Sequence, residues 1–172
     1  MTNIDINKLT IRDANLEDLA EIVRIYNSTV AGRMVTADTE PVPVSSRERW
    51  FHEHSPDFRP LWVLEQSGKI CGWLCFQSFY GRPAYQATAE VSIYLDEACR
   101  GQGIGRFLLQ QAIDACPKLN IKTLLGFIFG HNDPSLKLFK SFGFDNWAQL
   151  PRIAELDGIE RDLIIVGKRV LE

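Results

Sequence analysis

Apolar and polar positions change period several times along the chain, and each change marks an element. "KLTIRDA" alternates over a few residues and reads as a first strand. In "NLEDLAEIVRIYNSTVA" the period lengthens to that of a helix, with Leu16, Leu19, Ala20, Val23 and Tyr26 on one face. Asn15 stands at its N-cap, and Asp18 follows three residues later. Residues 36–44, "TADTEPVPV", are a loop, because Pro41 and Pro43 forbid regular pairing. "SSRERWFHEH" predicts a short helix capped by serine. Ser67-Gly68 separates two strand-like runs, "LWVLEQ" and "KICGWLCFQSF", and so predicts a hairpin. "GRPAYQ" is a loop.

"TAEVSIYL" alternates throughout. Val91, Ile93 and Leu95 point one way, and Glu90, Ser92 and Tyr94 the other. A helix with Ile104, Phe107, Leu108 and Ala112 on one face comes next. "IKTLLGFIF" is apolar enough for a strand buried on both faces. Asp133 is placed as the cap of another helix, with Pro134 at its first position and Gly143 at its end. "RDLIIVGKRV" is a final strand, and one or two strands are expected after the last helix. This order predicts a mixed α/β domain, a partly antiparallel central sheet flanked by helices.

A length of 172 residues suits one domain spanning 1–172. Hydrophobic residues make up 45% and charged residues 24%, the profile of a soluble globular protein. The net charge of −3 argues against nucleic-acid and membrane-surface partners, which want clustered basic charge. "MTNIDINKLTIRD" carries no signal-type apolar core, and no run of about 18 apolar residues occurs, so a cytoplasmic location is expected. Cys71, Cys75, Cys99 and Cys116 are expected to be reduced, buried thiols. No metal is expected: His52 and His54 stand at i, i+2 on a helix and face different ways.

The densest chemistry lies in "CRGQGIGR", residues 99–106. Alternating glycines between a strand and a helix bare the backbone N–H groups at a helix N-terminus, and the helix dipole adds positive potential there. Arg100 and Arg106 add charge suited to a diphosphate. The spacing is G-x-G-x-G, which fits neither the dinucleotide fingerprint nor a P-loop. A glycine-rich turn without a ligand is the alternative.

"RGQGIG" after "EVSIYL", and "GHNDPSLKLFKSFGF" about 30 residues on, resemble the two motifs of the acetyl-CoA-dependent GNAT N-acetyltransferases. Over nearly the whole chain, "IYNSTV", "TADTEP", "YGRPAY" and "AEVSIY" resemble the phosphinothricin and methionine sulfoximine N-acetyltransferases of that superfamily. The resemblance implies the GNAT fold, acetyl-CoA as co-substrate, a small amino-acid-like acceptor and a homodimer. It implies Glu90 as general base, acting also in acceptor binding. Main-chain groups of Ile93, Tyr94 and Leu95 would take pantetheine. Gly101, Gln102, Gly103, Ile104, Gly105 and Arg106 would take the pyrophosphate, and Asn132 would sit near the reacting end. Arg82, Pro83 and Ala84 would contact the acceptor, with Arg82 able to grip a carboxylate bidentately. Phe139 stands where many relatives carry a proton-donating Tyr or His, which leaves another tyrosine, such as Tyr26 or Tyr85, or water for that task. Acetylation of a peptide, polyamine or antibiotic, and a non-catalytic acetyl-CoA-binding module, remain alternatives.

Overall fold

The computed structural model describes residues 3–172, which form a seven-stranded sheet of order β1-β2-β3-β4-β5-β7-β6. The strands are β1 (Thr10–Asp13), β2 (Leu61–Gln66), β3 (Lys69–Ser78), β4 (Thr88–Leu95), β5 (Thr123–Phe129), β6 (Asp145–Leu156) and β7 (Ile159–Arg169). The helices are α1 (Leu19–Ser28), α2 (Glu48–His52), α3 (Ile104–Ala115) and α4 (Asp133–Ser141). Every neighbouring pair is antiparallel except β4 with β5, which α3 connects as the crossover a parallel pair requires. Among the described residues, no helix is long and apolar enough to cross a membrane.

Strand alternation sends side chains to two cores. Leu74, Phe76, Ala89 and Val91 pack with Leu108 and Ala112 of α3 and Phe139 of α4 on one face. Val63, Trp73 and Cys75 pack with Ile22 and Ile25 of α1 on the other. Two contacts fix α1 over the second face. Trp73 Nε1 donates to the Ile22 carbonyl at 3.0 Å, and Arg24 pairs with Asp96, just past β4, at 2.5 Å. The hairpin turn is as expected, with Ser67 and Gly68 at φ 53° and 77°. All four cysteines are free and buried.

Three local expectations are corrected, and one strand is added. The buried face of α1 is Leu19, Ile22, Val23 and Ile25; Ala20 and Leu16 are exposed, because Leu16 belongs to a 3-10 turn that rotates it off the helical period. No serine side chain caps α2: Ser46 Oγ donates back to the Pro43 carbonyl inside a preceding 3-10 turn. Asn132, not Asp133, is the N-cap of α4, so Pro134 falls one position later than expected. Residues 145–156 form the edge strand β6, whose register shifts at Asn146/Ala148 and Leu150/Ala154 break the alternation that would have announced it.

One feature of the sheet makes the site. β4 pairs with β3 over Ala89–Leu95, but with β5 only from Thr88↔Thr123 to Glu90↔Leu125. Beyond Glu90 the two strands diverge. The β5-facing edge of residues 91–95 is left bordering a cleft.

Candidate active site

Two cavities meet at β4. The first lies on the α1/α2 face and has a volume of about 180 Å³. Register places Trp73, Cys75 and Gln77 of β3 beside Tyr94, Ser92 and Glu90 of β4, and all six line it. Tyr26 of α1, Arg47 and Trp50 close it from above. Its walls are aromatic: Trp73 stacks on Tyr94 at 4.5 Å, and Tyr26 and Trp50 sit 5.2 Å from Tyr94 and 5.5 Å from Trp73 respectively. The Glu90 side chain makes no hydrogen bond or ion pair with any described residue. Burial without a partner pushes its carboxyl up to about 7, so ionised and protonated forms coexist near neutral pH. Burial also pushes the Cys75 thiol and the Tyr94 phenol up, and both stay protonated there.

The second cavity is the cleft where β4 and β5 part, about 420 Å³. Residues 91–95 form one wall, Gly126, Phe127 and Ile128 the other, and Asn132 and Phe139 close one end. Ser92 and Tyr94 line both cavities, so the two spaces adjoin at β4 next to Glu90. Arg100 lines this cleft and donates to the Leu95 carbonyl from Nε and Nη2 at 3.3 and 3.2 Å.

Ile93, Tyr94 and Leu95 thus stand together on the open strand edge. Gly101 and Gly103 adopt φ 74° and 83°, and Gly103 is the N-cap of α3. Only glycine takes such angles readily, so the turn that presents the helix N-terminus needs them. Gly105 lines the cleft, whereas Ile104 is buried in the core. Gln102 accepts from the Ile4 N–H at 2.8 Å. Arg106 turns to α4, donating to Ser141 at 2.9 Å and resting over Phe142. Asn132 accepts from the Ser135 N–H and donates to the Met34 carbonyl at 3.0 Å, so it ties the 33–35 segment across the cleft.

Arg82 is not brought into either cavity. It is exposed, like Pro83 and Ala84, at the start of a short 3-10 turn. Buried Arg59 anchors that loop at both ends, to Ser78 at 3.1 Å and to the Gln86 carbonyl at 2.8 Å. Its first residues do approach the site: Tyr80, Gly81 and Glu90 share a third cavity of about 390 Å³. Phe139 is buried and offers no proton. Tyr26 faces the first cavity, while Tyr85 is exposed. Among the described residues, no group of three His, Cys, Asp or Glu is arranged to hold a metal.

Sequence reading missed Arg47 and the group that holds it. Arg47 Nη2 donates to Asp38 at 2.9 Å, and the Tyr26 hydroxyl donates to the same carboxylate and contacts Thr36. Thr36, Asp38 and Arg47 lie in stretches read as a loop and a short helix. Nothing in their local pattern says that they fold over β3 and β4. The "TADTEP" match was the one available signal.

A carboxylate-bearing pocket thus adjoins a splayed strand edge, with a glycine turn and a helix N-terminus nearby. The acetyltransferase (GNAT) family profile matches residues 19–144, and the chain belongs to that family. It is 55% identical over 163 residues, covering 94% of this chain and 99% of the other, to YwnH of Bacillus subtilis (strain 168), provisionally named a phosphinothricin acetyltransferase. It is 30% identical over 155 residues, covering 90% of this chain and 91% of the other, to the L-methionine sulfoximine/L-methionine sulfone acetyltransferase of Salmonella typhimurium. The crystal structure of a GNAT superfamily phosphinothricin acetyltransferase from Sinorhizobium meliloti, in complex with acetyl-CoA, superposes with a TM-score of 0.89 at 26% identity. That match covers 96% of this chain and 90% of the other.

Proposed function

We propose that the protein transfers the acetyl group of acetyl-CoA to the α-amine of a small amino acid or analogue, of the phosphinothricin or methionine sulfoximine kind. The observation that carries this reading is the Glu90 carboxyl, unpartnered in an aromatic pocket that adjoins the splayed cleft at Ser92 and Tyr94. The relatives named above act on such compounds by name, and the Sinorhizobium enzyme is described with acetyl-CoA.

The cleft fits that co-substrate. Its open strand edge suits pantetheine amides, which Ile93, Tyr94 and Leu95 would take as a strand takes an added strand. The helix N-terminus at Gly101–Gly105 would take the pyrophosphate. Acetyl-CoA supplies an acetyl group activated as a thioester. Glu90 removes the proton from the acceptor ammonium, and aromatic walls exclude water around the amine. Cys75 is buried, which pushes its thiol up and disfavours the thiolate an acyl carrier needs, and this supports direct attack by the amine. A free thiol has a pKa of about 8.5, so the departing thiolate needs no strong acid, and Phe139 is tolerated.

Arg82 is the residue we assign to the acceptor carboxylate, reached from the loop whose Tyr80 and Gly81 adjoin Glu90. Losing one partner of such a pair costs about 2 to 5 kcal/mol. Arg82→Ala should therefore raise KM for the amino acid by tens of fold, as about 1.4 kcal/mol is a tenfold change, and leave KM for acetyl-CoA unchanged. Steady-state kinetics that find Arg82→Ala silent would remove the assignment. The enzyme is further proposed to act as a cytoplasmic homodimer. Exposed Tyr80 and Tyr85 on that loop, and Trp147 and Ile153 on the outer edge strand, are the material for the interface. Light scattering at micromolar concentration should give twice the 19.6 kDa chain mass; a monomer mass would refute it.

A further inference from the structure

We propose that Arg47 reads the acceptor's side chain by binding an oxygen-bearing group at its end, and so sets which amino acids are acetylated. This rests on the amino-acid reading above and adds to it a residue that determines specificity.

Among the described residues, Arg47 is the only cation lining the 180 Å³ cavity, one of the two that Glu90 borders. It is braced on one side alone. Nη2 donates to Asp38, and the guanidinium lies over the Tyr26 ring with Cζ 4.9 Å from its centroid. Nε and Nη1 donate to no described residue, although a guanidinium carries five donors. Asp38 is itself occupied, since it also accepts from the Tyr26 hydroxyl. Half of the guanidinium fork is thus spoken for, and the other half is free to bind a ligand. The fork suits two oxygens on one centre, as in a phosphinate, sulfone or carboxylate.

The directions at the acceptor's α-carbon agree with this division. The amine meets Glu90. The carboxylate leaves toward the 79–87 loop through the cavity shared by Gly81 and Glu90. The side chain then points into the 180 Å³ pocket, which has room for a few heavy atoms and is lined by Arg47. Trp50 and Trp73 wall this pocket, so an oxygen bound there would be shielded from water, where a charged hydrogen bond counts for more.

The test uses three acceptors: L-phosphinothricin, L-methionine sulfone and L-methionine. The last two differ only in the sulfone oxygens. Wild type should prefer the two oxygen-bearing acceptors in kcat/KM. Arg47→Met should lower kcat/KM for them by about tenfold or more, the scale for loss of a charged hydrogen bond, and change that for methionine little. Arg47→Lys should recover part of the preference, and acetyl-CoA affinity should not move. Asp38→Asn removes the brace but keeps the guanidinium, and should keep the preference. Equal losses for all three acceptors in Arg47→Met, or the same losses in Asp38→Asn, would show Arg47 to be a brace for its loop and overturn the inference while leaving the acetyltransferase reading intact. A wild type that acetylates none of the three overturns both.

Discussion

Glu90→Gln is expected to lower kcat by about 10²-fold or more, the scale of general acid–base help, with acetyl-CoA affinity unchanged. Glutamine keeps the size of the side chain and its place beside Gln77 and Ser92, but it cannot take a proton. The pH profile carries the same signature. Burial pushes the Glu90 carboxyl up to about 7, and a base works when ionised. Wild-type kcat/KM should therefore rise as pH climbs through about 7, and Glu90→Gln should lose that limb. Stability should move in the opposite sense. Between the ordinary value near 4.5 and about 7, the folded state binds the Glu90 proton and the unfolded state does not. The wild type should thus lose stability as pH rises through that window, by at most about 3 kcal/mol, while the glutamine variant should not. Rate measurements from pH 5 to 9, with denaturant melts at pH 5 and 8, check both. A variant with near wild-type turnover at neutral pH would remove Glu90 from the chemistry.

Gly103→Val is expected to weaken acetyl-CoA binding by about 10- to 100-fold, as when one charged backbone hydrogen bond is lost. Gly103 caps α3, so a side chain there blocks the approach of a phosphate to the helix N-terminus. Its φ of 83° adds backbone strain in the variant, which by itself destabilises the fold. Gly68→Val provides the control. Gly68 has a similar φ of 77° in the β2–β3 turn, with nothing within 4 Å of an added Cβ. It should cost stability and spare affinity. A folded Gly103→Val protein that binds acetyl-CoA as tightly as wild type, by calorimetry, would move the pyrophosphate elsewhere.

What could be read from the sequence followed from local periodicity and from local turns. The alternation of "TAEVSIYL" placed Glu90, Ser92 and Tyr94 on one face, and that face lines the 180 Å³ cavity. Alternating glycines announced the bared start of α3. The hairpin at Ser67-Gly68 was written in its turn residues. What stayed hidden depends on contacts between distant segments. The parting of β4 from β5 has no sequence signal, because both strands keep their apolar pattern on either side of it. Arg47 is an ordinary polar position in its own stretch, and only the folding of residues 36–52 over the sheet sets it opposite Glu90. Asn132 stands next to Asp133, an equally good capping residue by type, and the backbone alone decides between them. Arg82 shows the converse. Its sequence context points to the acceptor, yet within one chain its side chain lies outside both main cavities.

The most direct measurement is release of free thiol from acetyl-CoA by the wild-type protein, with the acylated product identified by mass. Offered a small free amino acid of the phosphinothricin or methionine sulfone kind, the protein should release one thiol per N-acetyl amino acid formed. The α-carboxamide of the same compound should be a poor acceptor. Binding of acetyl-CoA without thiol release for any amine, or rapid acetylation of a peptide or polyamine in preference to the free amino acid, would contradict the reading.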